Sequence, residues 1–179
     1  MTEAAAFLAW FGAAVIVLSD GRRGLALGLG LATIGFAALA WFGGEGVAAA
    51  AVLVGGGVAA AQRLRTGPDV WGVMPAGSTA RLVLCIAGGL LALWIATSVM
   101  TGPGAPLRFA ALSVLGLMTA RAVGEAENAA VLTALAALAL AVGMSAGLAG
   151  ASPGPAPFIA AALIALGASF IRVRHESGA

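Results

Sequence analysis

Lysine is absent from this chain of 179 residues, and histidine and cysteine occur once each. Each shortage removes a class of function. Without lysine there is no Schiff-base site, so a retinal pigment is excluded whatever the helix count. The one histidine, His175, sits in a polar tail beside arginines and Glu176, where it is solvated and cannot join a pair of axial haem ligands. Cys85 lies inside an apolar run; a single thiol forms no intramolecular disulfide and builds neither an iron–sulfur cluster nor a metal site, so it reads as a small buried hydrophobe. No cofactor and no metal are expected.

Charge is just as scarce. Only 9% of the residues are charged, against about 25% in a soluble domain, which needs a solvated surface. Apolar residues make up 61%, and the mean hydropathy is +1.07. Such a chain cannot cover itself in water, and its natural solvent is hydrocarbon. The net charge of +2 is not a nucleic-acid signal, because the nine arginines are spread along the chain at the ends of apolar runs instead of forming a phosphate-tracking patch. Arginine without lysine, in an Ala/Gly-rich background, points to GC-rich coding and a bacterial source.

Seven apolar runs can be read off, giving an all-α integral membrane protein of about seven short transmembrane helices. They span 4–18, 24–42, 47–61, 82–100, 107–120, 128–148 and 158–171, in one transmembrane domain over residues 1–179. Several are shorter than the roughly 20 residues that cross ~30 Å of hydrocarbon; snorkelling arginines and local thinning cover the deficit. Period-2 alternation is missing, which argues against a barrel. Met1-Thr2-Glu3 offers no positive n-region and the first run ends in Ser19-Asp20-Gly21, so that run reads as a retained span.

Charge bias sets the orientation. With the N-terminus outside, Arg22, Arg23, Arg63, Arg65, Arg81, Arg121, Arg172 and Arg174 all face the cytoplasm and only Arg108 falls outside. That obeys the positive-inside rule, and merging two runs into one breaks it. The C-terminus is then cytoplasmic, and the expected location is the inner membrane of the cell.

Most of the chain reads as packing. In lipid, helices associate through close backbone approach, which small residues permit. Gly24, Gly28 and Ala32 recur every four residues on the second helix, Gly55-Gly56-Gly57 thin the third, Gly88-Gly89 the fourth, and Gly143 with Gly147 the sixth. A sharper alternative makes Gly55-Gly56-Gly57 a hinge or a break in a discontinuous helix. Trp10, Trp41, Trp71 and Trp94 read as interface anchors.

Two segments carry candidate chemistry. Glu125 and Glu127, between the fifth and sixth runs, are ionisable groups near membrane depth, with Arg121 four residues before Glu125 and able to pair with it; together they are a candidate proton or ion site. The plainer reading is a solvated turn with acids at a helix N-terminus. The cytoplasmic loop 62–81 holds Asp69, Trp71 and Met74 between prolines, a candidate partner-docking loop or a plain connector. A faint echo of Gly44-Glu45 in Gly124-Glu125 would suit an inverted repeat.

Rossmann, P-loop, HExxH and G-x-S-x-G signatures are absent, and Ser98, Ser113, Thr119, Thr133 and Ser145 have no intramembrane His or Lys to act as base. The chain is therefore not expected to be an enzyme. The leading expectation is a non-catalytic membrane subunit of a larger transport, secretion or energy-transducing complex, whose partners are the lipid bilayer and other membrane subunits, not nucleic acid. A small proton- or ion-coupled transporter using Glu125 and Glu127 comes second, and a lipid-acting membrane enzyme third.

Overall fold

A computed structural model of the chain describes residues 1–66, 79–99, 104–124, 128–146 and 154–171. Among these residues the protein is entirely helical. The helices are α1 (Thr2–Leu18), α2 (Arg22–Phe42), α3 (Gly46–Arg65), α4 (Thr79–Trp94), α5 (Ala105–Gly124), α6 (Asn128–Ser145) and α7 (Ala156–Phe170). α4 continues as a π-helical turn over Ile95–Val99. With that extension, five helices are long and apolar enough to cross a membrane. α1 and α7, at 17 and 15 residues, reach about 25 and 22 Å at 1.5 Å per residue.

The apolar runs and the helices coincide closely, except that the helices continue through the charges that close several runs. Arg22, Arg23, Arg63, Arg65, Arg81, Arg108 and Arg121 all lie in helical turns. A long arginine stem packs on apolar surface while its head finds an acceptor at the helix end, so the charge does not stop the helix.

Six helices form a closed ring in the order α1, α2, α3, α7, α6, α5, with α2 meeting α6 across the middle. This is two rows of three: α1, α2 and α3 face α5, α6 and α7 respectively. α4 stands outside the ring against α5 and α1. The middle is filled by Leu29, Thr33, Phe36, Val52 and Leu140, all essentially inaccessible. An inverted repeat would pair α4 with α2 as α1 pairs with α5, and no comparable α2–α4 seam exists.

Glycine brings the backbones together along the seams. A Cβ on Gly28 would stand 2.7 Å from the Gly12 carbonyl, and one on Gly35 2.5 Å from the Ala9 amide, so α1 and α2 touch backbone to backbone. Gly55 would meet Ala162 of α7 at 2.6 Å and Gly143 would meet Ala161 at 2.5 Å. Gly24 instead faces Ser19, in the turn just before its own helix. α3 runs through Gly55-Gly56-Gly57 without interruption; Gly55 and Gly56 pack on α7 and on the α2/α6 centre, while Gly57 faces open space. The tight α2/α3 turn relies on Gly44 at φ +85°, a left-handed position that closes a helix C-terminus.

Several hydroxyls within the helices are satisfied locally. Thr33 donates to the Leu29 carbonyl, Thr133 to Ala129, Ser113 to Ala110 and Ser145 to Val142. Such back-bonding lets a polar side chain sit at membrane depth without an unmet donor.

Candidate functional site

The described ion pairs that join separate helices meet at one end of the bundle. Asp20, in the turn between α1 and α2, accepts from Arg121 Nη2 at 2.6 Å and from Arg81 Nη1 at 2.9 Å on the same carboxylate oxygen. Arg121 Nη2 also donates to the Ser19 carbonyl at 3.0 Å. The node therefore ties the α1/α2 turn to the start of α4 and the last turn of α5. Arg121 is almost wholly buried, at 3% side-chain exposure, whereas Arg81 and Asp20 are about one-third exposed. Ser19 is buried beneath them against Gly24.

Burial by itself raises the Asp20 carboxyl, but hydrogen bonds and charge from Arg121 and Arg81 outweigh it and hold the group below the ordinary value of 3.8. An acid so held stays ionised at neutral pH. It is suited to clamping helices and poorly suited to carrying a proton.

Two further arginines act in the same way. Arg63, 2% exposed near the end of α3, donates from Nη2 to the Ala168 carbonyl near the end of α7 at 3.0 Å. Arg108, the single exception to the charge bias, lies in the first turns of α5, buried against the π-helical turn, and reaches the Ala96 carbonyl at 3.4 Å. There Thr97 also donates to the Leu93 carbonyl at 2.8 Å. A hydroxyl and a guanidinium thus each take a carbonyl in the stretch where the helix widens.

Of the residues singled out from the sequence, Arg121 is placed, with Asp20 as its partner. Glu125 and Glu127 lie outside the described residues, as do Asp69, Trp71 and Met74 of the loop and Gly147. Gly28 and Gly143 are seam residues, and Gly24 packs locally. Trp41 ends α2 exposed, as an interface ring would. Trp10 does not fit that role: it sits halfway along α1, in ring contact with Phe7 at 5.2 Å and pressed on Gly89 of α4.

Asp20 and Arg81 were not singled out by the sequence. Asp20 stands 101 residues from Arg121 and 61 from Arg81, which leaves no local motif. The available signal was position, since Asp20 directly abuts an apolar run, where an acid needs a partner.

No protein-family model, curated protein or solved structure matches the chain. The class rests on the helices alone: a helical bundle whose long apolar members fit a membrane protein.

Proposed function

We propose that the chain is a non-catalytic subunit of a larger bacterial inner-membrane complex, with its N-terminus outside and the Asp20–Arg81–Arg121 node at the cytoplasmic face. Its contribution is a rigid bundle to which partner subunits dock. The observation that carries this reading is the use made of the described polar groups. The buried guanidinia bond to a carboxylate or a carbonyl of another part of the bundle, the helix hydroxyls bond to their own backbone, and apolar side chains fill the middle of the ring. Polar side chains lining a path across the bilayer are what a carrier requires.

The test is native mass spectrometry of the tagged protein, gently extracted from its own membrane. Reproducible larger partners are expected. A lone monomer or homo-oligomer would overturn the subunit reading.

The burial of Arg121 at a charged bundle end favours one second reading, a small proton- or ion-coupled transporter acting through Glu125 and Glu127. On that reading Glu125→Gln with Glu127→Gln abolishes pH-dependent uptake in proteoliposomes and leaves the protein folded. Absence of uptake by the parent protein removes it.

A further inference from the structure

Among the described helices α4 alone stands outside the ring, and it meets α1 unevenly along its length. In its first turn Arg81 donates to Asp20 at 2.9 Å. Midway, Gly89 sets the helix against α1: a Cβ there would stand 2.6 Å from Trp10 Nε1. Beyond that point α4 stays on α5, with Ala92 and Ala96 buried, but parts from α1. A gap of about 450 Å³ opens there, with Leu93 and Thr97 on one side, Ala6 and Phe7 of α1 on the other, and Pro106 and Phe109 of α5 between them. α4 is thus closed onto α1 at the Asp20 end and open at the far end.

We propose that α4 rocks across α5 between two positions, pivoting where Gly89 meets Trp10, so that closing the far gap parts Arg81 from Asp20. Its buried face permits the motion. That face is Cys85, Gly89, Ala92 and Ala96, all small, whereas α2 buries Leu25, Leu29 and Phe36. Small faces slide where large interlocked side chains do not. The pivot carries no hydrogen bond to break, because Trp10 Nε1 is buried with no acceptor among the described residues. The two arms are equal. Arg81 and Thr97 each lie eight residues from Gly89, about 12 Å, so a turn of about 15° moves each end by about 3 Å. Added to the 2.9 Å contact of Arg81 with Asp20, that takes the pair out of hydrogen-bond reach. The node tolerates the loss: Asp20 keeps the buried Arg121 at 2.6 Å, and the departing Arg81 is already one-third exposed. At the far end Arg108 holds the Ala96 carbonyl at 3.4 Å, a long side chain able to follow the shift.

The gap and the node lie at opposite ends of the bundle, so the helix couples them, and the coupling is reciprocal. Whatever fills the gap holds Arg81 on Asp20; whatever draws Arg81 away lets the gap close. The six-helix ring remains the rigid body, and the inference stands with or without partner subunits.

The experiment is double electron–electron resonance on the full chain in lipid nanodiscs, in a Cys85→Ala background. One spin-label pair, Leu64→Cys with Ala80→Cys, reads the node end; the other, Phe42→Cys with Ser98→Cys, reads the gap end. Arg81→Gln is expected to lengthen the first distance by about 3 Å and to shorten the second by a similar amount. Adding Ala105→Trp, which fills the gap from α5, should restore both parent distances. Leu93→Trp repeats that rescue from α4 should the Ala105→Trp variant lose its fold. Unchanged distances in Arg81→Gln overturn the proposal. So does a longer node-end distance without a shorter gap-end one, which would mean that α4 merely detaches.

Discussion

α2 and α4 are similar in composition and length, yet they are held in different ways. Within their membrane-length windows α2 is 61% buried and α4 only 22%. α2 touches α1, α3 and α6, and its glycines let backbone meet backbone. α4 carries a broad exposed face that includes Val83, Ile86, Leu90, Leu91 and Trp94, and is joined to the ring at a few places: Arg81 on Asp20, Gly89 under Trp10 and Gly88 near Leu117. Apolarity cannot explain the difference, because lipid satisfies an apolar side chain as well as a neighbouring helix does. Close approach and a charged clamp decide which helix is central and which is peripheral.

That contrast can be broken by substitution. The largest effect is expected at the α1/α2 seam. Gly28→Leu drives a side chain into the Gly12 carbonyl and the Ile16 backbone and should destabilise the bundle by about 3 kcal/mol or more, read from thermal unfolding in detergent by circular dichroism. If Gly28→Leu melts with the parent protein, the seam is not what holds α2.

The clamp comes next. Asp20→Asn leaves Arg121 buried beside a neutral group and should cost about 1–2 kcal/mol, with partial exposure of Asp20 and Arg81 screening the rest. Because the folded-state carboxyl is held below 3.8, its contribution is full above that value and is lost as pH falls through the lower folded-state value. The difference in midpoint between parent and Asp20→Asn should therefore be constant near neutrality and shrink in acid below 3.8. A difference that instead grew in acid would contradict the assignment.

Gly89→Leu should act on α4 alone. It displaces Trp10, at a cost of about 1 kcal/mol, and should raise proteolysis next to α4 before the rest of the bundle opens. The smallest effect belongs to Gly57→Leu, within about 0.5 kcal/mol of the parent, as for other surface sites. Similar losses at Gly28 and Gly57 would erase the distinction between seam glycines and those facing open space.

How much of this was readable from residues follows from the same physics. The helices were, because apolar runs broken by charges and by Gly/Pro clusters mark them directly; the bounds of α3 and α5 were short by a few residues because the terminal arginines continue the helix. The α1/α2 contact was half readable, since Gly24-Gly28-Ala32 names a small-residue face but not that Gly24 turns to Ser19 while Gly28 meets α1. The node was not readable, because Asp20, Arg81 and Arg121 come together only when three separate helix ends do. The π-helical turn after Trp94 and the contact of Arg108 with Ala96 within it have no sequence signature.

The proposed arrangement is a membrane bundle of seven spans whose arginine-rich end is cytoplasmic. Substituted-cysteine labelling tests it most directly, in a Cys85→Ala background in intact cells, with Glu45→Cys, Thr66→Cys and Ser177→Cys probed one at a time by a membrane-impermeant maleimide. Labelling at position 45 from outside, with positions 66 and 177 reached only after permeabilisation, is the predicted result. Positions 66 and 177 on opposite sides of the membrane would contradict the seven-span arrangement.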